Sequence, residues 1–149
     1  MGFQGKANMI EISKIPISPQ QVIDKVKSDS SGCVVSYIGL IRNYSQNKAV
    51  LSVEYQDTEG DAEKKLSEIA EETKKKWHIN GLAITHRIGK LKVGDINLVV
   101  AVASAHRKEG FATCQHIIDQ FKRRLPTRKA ETYRDGSVLV EEAVRRTKQ

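Results

Sequence analysis

The spacing of apolar positions changes several times along the chain, and each change marks the edge of an element. Residues 9–17 alternate loosely, as a first strand would. Ser18-Pro19-Gln20-Gln21 supplies a helix N-cap, a proline at the first helical position and a capping-box glutamine, and Val22, Ile23 and Val26 give that helix an apolar side. Gly32 closes it. Residues 33–41 form a second apolar, β-rich run that delivers Arg42 and Asn43 at its end, and the polar stretch 43–49 reads as a mobile loop. Residues 50–55 return to a period of two, the mark of a half-buried strand. A turn at 58–60 leads into the longest predicted helix, 61–77, with Ala62, Leu66, Ile69, Ala70, Thr73 and Trp77 on its buried stripe. Lys74, Lys75 and Lys76 at its end complement the helix dipole.

Asn80-Gly81 opens another strand in which Leu82, Ile84, His86 and Ile88 share one face, so His86 reads as a hydrogen-bonded core group. After a tight turn at 91–95, the Val-rich run 98–103 suits a strand covered on both faces. His106 and Arg107 stand at its exit. Phe111, Cys114, Ile118, Phe121 and Leu125 then recur at helical spacing until Pro126, which cannot donate the backbone bond needed to continue. Residues 133–136 read as a turn, and SVLVEEAV fits either an edge strand or the start of a helix. The order β-α-β-β-α-β-β-α-β predicts an α/β (α+β) fold with a mixed sheet, one domain over residues 1–149, with 1–8 as a disordered or vector-derived tail.

The last helix and the loop beyond it carry Lys122, Arg123, Arg124, Arg128 and Lys129. The helix dipole accounts for the cations in the final turn, and Asp119 is spaced to pair with Lys122 and Arg123. It does not account for Arg128 and Lys129, which follow the proline. A net charge of +7 adds the expectation of an anionic partner: a phosphorylated metabolite, a nucleic acid or an acidic protein face. Aromatics at 5% leave little for a base-stacking platform, which weighs against nucleic acid. Cys33 and Cys114 sit in apolar segments without paired spacing and read as small buried hydrophobes. The histidines form no metal-binding motif, so neither a metal nor a cofactor is expected. No apolar run approaches the length of a membrane helix and no targeting pattern stands at the start, so a cytoplasmic protein is expected.

Taken in order, GCVVSYIGLIRN, the VEY strand before a long helix ending in KKKW, THRIGKLKVGD, SAHRKEGFATCQHIIDQFK and LPTRKAE resemble the large, MoaE-type subunit of molybdopterin synthase over nearly the whole chain. The resemblance implies a single-domain α/β-hammerhead with a mixed, largely antiparallel sheet. It implies a homodimer within a heterotetramer, partnered by a small MoaD-like, ubiquitin-like subunit ending in a Gly-Gly thiocarboxylate. The implied activity is sulfur transfer to cyclic pyranopterin monophosphate, once at each of two carbons, giving the dithiolene of molybdopterin. Lys122 and Lys129 match the two pocket lysines, Arg42 the arginine after the second strand, and His106 and Arg107 the pair after the central strand.

Those residue types suit that chemistry. Arginine offers a planar fork of donors to a phosphate, and histidine exchanges a proton near neutrality. Arg42, His106 and Arg107 are therefore assigned to substrate anchoring. A lysine ringed by Arg123, Arg124 and Arg128 has its ammonium form disfavoured, which suits Lys129 to contact the thiocarboxylate and its carbonyl, with Lys122 stabilising charge or moving protons. Glu131 either orients Lys129 or a neighbouring strand, or is an ordinary surface acid. Three departures from the family pattern stand out: Arg128 where an aromatic is usual, Gly60-Asp61-Ala62 where Met-Ala often begins the long helix, and Ala143 where the family has a basic residue, with Arg145 and Arg146 close by. Two other function classes remain: a noncatalytic binder of a ubiquitin-like partner, and a basic nucleic-acid-binding domain whose affinity would fall steeply with salt.

Overall fold

The computed structural model describes residues 8–143; the tail expected at 1–8, apart from Asn8, and Arg145 and Arg146 lie outside the described residues. The elements run β1 (Met9–Ser13), α1 (Pro19–Val26), β2 (Cys33–Leu40), β3 (Tyr44–Ser45), β4 (Lys48–Gln56), α2 (Ala62–Lys74), β5 (Gly81–Arg87), β6 (Gly89–Lys92), β7 (Ile96–Ser104), α3 (Arg107–Arg124), β8 (Arg128–Tyr133) and β9 (Val138–Glu141). This is the expected mixed α/β content. Ser18 caps α1 through its hydroxyl, which accepts from the Gln21 amide at 3.3 Å.

The first sheet has the strand order β1-β5-β7-β2, with β1 parallel to β5 and the other pairs antiparallel. Its central strands are apolar on both faces, as the run at 98–103 predicted. Leu82, Ile84, Leu98, Val100 and Val102 pack against Leu66, Ile69 and Ala70 of α2 and Cys114, Ile117 and Phe121 of α3. The opposite face offers Ala83, Val99, Ala101 and Ala103 to Val22 and Val26 of α1. Alanines there let α1 lie close. Each fully buried Leu or Ile in this core contributes roughly 1.5–3 kcal/mol of transfer free energy.

The second sheet is built on β4, which pairs antiparallel with β3, β6 and β8, while β9 adds to the far edge of β8. Its core is Ile41, Val50, Val53, Tyr55, Leu91 and Tyr133. The chain passes from one sheet to the other between β5 and β6, where Gly89 takes a φ of +101° that a side chain would resist.

Four sequence expectations change. The stretch read as a mobile loop is a β3–β4 hairpin: Gln46 and Asn47 both have positive φ (55° and 60°), and Ser45 faces Lys48 across a two-residue turn. The long helix ends at Lys74, leaving Trp77 outside it, with its ring 5.1 Å from that of His116. The buried stripe of α3 is Gly110, Thr113, Cys114, Ile117 and Phe121, while Phe111 is exposed. The helix has turned its smaller residues inward because it lies so near the sheet: a Cβ on Gly110 would meet the Ser104 hydroxyl at 2.8 Å and Val35 at 3.0 Å. Cys33, expected to be buried, is only half so, whereas Cys114 is buried. Of the two options for the C-terminal segment, β9 is the edge strand.

Candidate active site

The site begins where α3 stops. Leu125 adopts a left-handed φ of 33° and donates its amide to the Phe121 carbonyl at 3.0 Å, which ends the helix one residue before Pro126. Pro126 and Thr127 then turn the chain into β8. Lys122 is thereby left on the last turn of α3 and Lys129 on β8, and both line one cleft of about 630 Å³ together with Arg42, just past β2. Three of the five site residues expected from sequence are brought together in this way.

The cleft lies between the first sheet, through Tyr37 and Gly39 of its edge strand β2 and Asn97 of β7, and one face of the second, through Val53, Tyr55, Glu131 and Glu141. Register explains the second wall. Tyr55 is opposite Lys129, and Lys129 is opposite Glu141, so a Tyr-Lys-Glu row crosses three strands. Side chains directly opposite in antiparallel strands start from Cβ atoms about 4.5–5.5 Å apart. Two positions along, Val53 faces Glu131.

Polar groups beneath the cleft fix the lysine-bearing loop. His86 is fully buried and bonded at both nitrogens, Nδ1 to the Asn97 carbonyl and Nε2 to the Thr127 hydroxyl, each at 2.9 Å. Its ring meets Tyr55 and Phe121 edge-on, with centroids 4.9 and 5.0 Å away. Burial pushes its pKa down to about 4, so the imidazole is neutral at physiological pH. The satisfied core histidine expected from sequence therefore also ties β5 and β7 to the turn before Lys129. Glu131 is 7% exposed and accepts from the Tyr133 hydroxyl at 2.6 Å, and its other oxygen is 3.9 Å from Lys129 Nζ. Burial excludes the ordinary surface acid, and the approach to Nζ supports orienting Lys129. The Tyr133 phenol, donating to that carboxylate, is pushed up to about 12.

The ring of arginines expected around Lys129 does not form. Arg124 pairs with Glu68 and Glu72 of α2, and Arg128 bonds Gln56 at 3.2 Å and lies 3.9 Å from Glu142. Arg124 and Arg128 are engaged by groups other than Lys129, whose own ion-pair partner is Glu131. Ion pairing at the end of α3 likewise runs from Arg124 to α2 instead of from Asp119 to Lys122 and Arg123. Arg128, in the position where an aromatic was expected, thus links β8 to β4 and to the end of β9.

His106 and Arg107 are elsewhere. Both are exposed at the N-terminal end of α3, beside Cys33 and Phe111. Arg107 opens the helix whose last turn carries Lys122, fifteen residues on, roughly 22 Å at about 1.5 Å per residue. Sequence reasoning missed Tyr55, Asn97 and Glu141. A polar Asn at the head of an apolar strand was the available signal for Asn97; the other two depend on strand register. Among the described residues, no three His, Cys, Asp or Glu side chains gather as a metal site would require.

Comparison with known proteins agrees with the fold and with the order of motifs. The family model described as MoaE protein matches residues 12–124. A relative from Bacillus subtilis named molybdopterin synthase catalytic subunit is 36% identical over 126 residues, 85% of this chain and 80% of its own length. The crystal structure of molybdopterin synthase from Staphylococcus aureus superposes with a TM-score of 0.81 at 32% identity, covering 88% of this chain and 95% of that one. A Helicobacter pylori complex of subunits 1 and 2 of molybdopterin-converting factor shares the fold at a TM-score of 0.67 and 14% identity, covering 85% of this chain and 86% of that one. With a family match over most of its length and this level of identity to its relatives, the chain belongs to the MoaE protein family.

Proposed function

We propose that the chain is the catalytic large subunit of a molybdopterin synthase. It takes sulfur from the C-terminal Gly-Gly thiocarboxylate of a small ubiquitin-like subunit and adds it to cyclic pyranopterin monophosphate, forming the dithiolene. The observation that carries this reading is the meeting of Lys122, Lys129 and Arg42 on one cleft in a chain of this family. Both reactants are anionic, and three cations from three elements gather negative charge there.

Arg42 offers its planar fork to the substrate phosphate. Lys129, held by Glu131, faces the thiocarboxylate and its carbonyl, and Lys122 stabilises charge or moves protons as sulfur adds and leaves. The partner's tail enters as an extended segment whose small glycines fit the narrow passage. In the same chain His106 and Arg107 line a different hollow, at the opposite end of α3 from Lys122 and about 22 Å from it along the helix. They join the phosphate anchor from a second copy, which fits a homodimer carrying one small subunit on each half. Nucleic acid is the weaker reading, because Arg124 and Arg128 are already paired with the protein's own carboxylates.

The test is product formation from cyclic pyranopterin monophosphate and a thiocarboxylated small subunit, read as the fluorescent oxidised pterin. Wild-type product with activity lost in Lys129→Ala and Lys122→Ala is the expected result. A folded wild-type protein that binds the small subunit yet forms no product overturns the reading in favour of a noncatalytic binder.

A further inference from the structure

Tyr55 belongs by position to the core of the second sheet, yet its ring also lines the cleft, directly across the strand pair from Lys129. Its hydroxyl accepts a hydrogen bond from Asn97 Nδ2 at 2.8 Å, and among the described residues nothing accepts its own proton. Asn97 is held close in turn. Its Oδ1 is buried without a hydrogen-bond partner against Gly39, where a Cβ would stand 2.6 Å from it. An amide buried with one end unsatisfied, beside the apolar run from Leu98 to Ala103, costs stability without improving packing. What it does accomplish is to occupy one lone pair of the Tyr55 oxygen, so that the O–H bond turns away from Asn97.

We propose that the Tyr55 hydroxyl is a second hydrogen-bond donor, beside Lys129, to the acyl oxygen at the C-terminus of the sulfur donor. The inference rests on the synthase reading above and adds a group to it. Once the sulfur has bonded to the substrate carbon, the acyl carbon must be released from it. Water adds to that carbon, giving up one proton to solvent. The carbon–sulfur bond breaks and the electron pair leaves with the sulfur on the product; the second proton of that water passes to the leaving sulfur or to solvent, and the tail is left with an ordinary carboxylate. While water is bonded to the acyl carbon, its former carbonyl oxygen carries negative charge, and donors already aimed at that oxygen stabilise it. A lysine alone supplies a mobile point charge; a phenol on a strand supplies a donor of fixed direction. Burial pushes the Tyr55 phenol up to about 12, so it keeps its proton at neutral pH. Asn97 acts through Tyr55 and is a positioning residue.

The experiment is steady-state product formation with thiocarboxylated small subunit for wild type, Tyr55→Phe, Asn97→Ala and the double variant, with unfolding midpoints measured beside the rates. Tyr55→Phe is expected to lower kcat about tenfold to a hundredfold, with affinity for the small subunit unchanged. Asn97→Ala is expected to lower kcat several-fold, and to have no further effect once Tyr55 is Phe. A Tyr55→Phe protein that folds and keeps full kcat overturns the proposal. So do additive losses in the double variant, or an effect on small-subunit affinity alone. If Tyr55→Phe does not fold, Asn97→Ala decides, since it keeps the phenol; unchanged kcat there overturns the proposal. Wild-type activity is the control that separates these results from failure of the synthase reading itself.

Discussion

The two ends of β7 differ in how their functional side chains are held. At the Asp95 end, Lys122, Lys129 and Arg42 border a cleft whose floor is cross-braced: His86 bonds Thr127, Asn97 bonds Tyr55, and Glu131 bonds Tyr133 and approaches Lys129. At the Ser104 end the backbone is fixed, with the Ser104 hydroxyl donating to the His106 carbonyl at 2.7 Å and Gly110 pressed on Ser104 and Val35. The His106 and Arg107 side chains themselves are exposed. One end gathers the proposed site's groups within a single chain. The other presents groups outward on a rigid platform, the arrangement suited to completing a site on a neighbouring copy.

The largest effect that would break this contrast is catalytic. Lys129→Ala is expected to lower kcat/KM more than about a hundredfold while leaving the unfolding midpoint near that of wild type, because a half-exposed lysine is lost without a core cavity. Arg107→Ala should show a comparable deficit in substrate binding. If the two ends serve one site across a dimer, mixing Lys129→Ala protein with Arg107→Ala protein restores roughly a quarter of wild-type activity once subunits exchange at random. No recovery after demonstrated exchange would place both groups in the same protomer's function and break the comparison.

The next effect concerns the brace itself. His86 has a folded-state pKa of about 4 against 6.5 in the unfolded chain, so between those values the unfolded state binds the extra proton. Its contribution is complete above pH 6.5 and is lost as pH falls towards 4. The shift corresponds to roughly 3 kcal/mol at about 1.4 kcal/mol per unit. Denaturant unfolding at pH 7 and pH 4 should therefore show the gap between wild type and His86→Gln closing by about that amount. A gap independent of pH would remove the histidine from the acid response. At the opposite end, Gly110→Ala is expected to cost about 1–3 kcal/mol by overpacking α3 against β7, read as a shift in unfolding midpoint. The smallest change is Arg128→Ala: a partly exposed pair at 3.9 Å is worth less than about 1 kcal/mol, so stability should barely move.

Much of this was written in local sequence. The capped start of α1, the both-face apolarity of β7, the proline stop after α3 and the core role of His86 follow from spacing and residue chemistry within a few positions. So did the cations of the cleft as a set, because the ordered motifs from GCVVSYIGLIRN to LPTRKAE are dense enough to identify the family. The β3–β4 hairpin was hidden because its turn uses Gln46 and Asn47 where glycine is the usual signal. The face of α3 was misread because large apolar residues dominate a helical pattern, while close approach to a sheet selects small ones.

What only the tertiary structure decided is pairing. Whether Lys129 lies among arginines or beside Glu131 depends on Arg124 reaching α2 and Arg128 reaching β4 and Glu142, contacts between residues far apart in the chain. That Tyr55 stands across from Lys129 depends on β4–β8 register, and a slip of one residue would turn it to the other face. That His106 and Arg107 stand far from the cleft depends on the length and direction of β7. Side-chain type and spacing determine which chemistry a chain can carry. The register of its strands determines which of those groups meet.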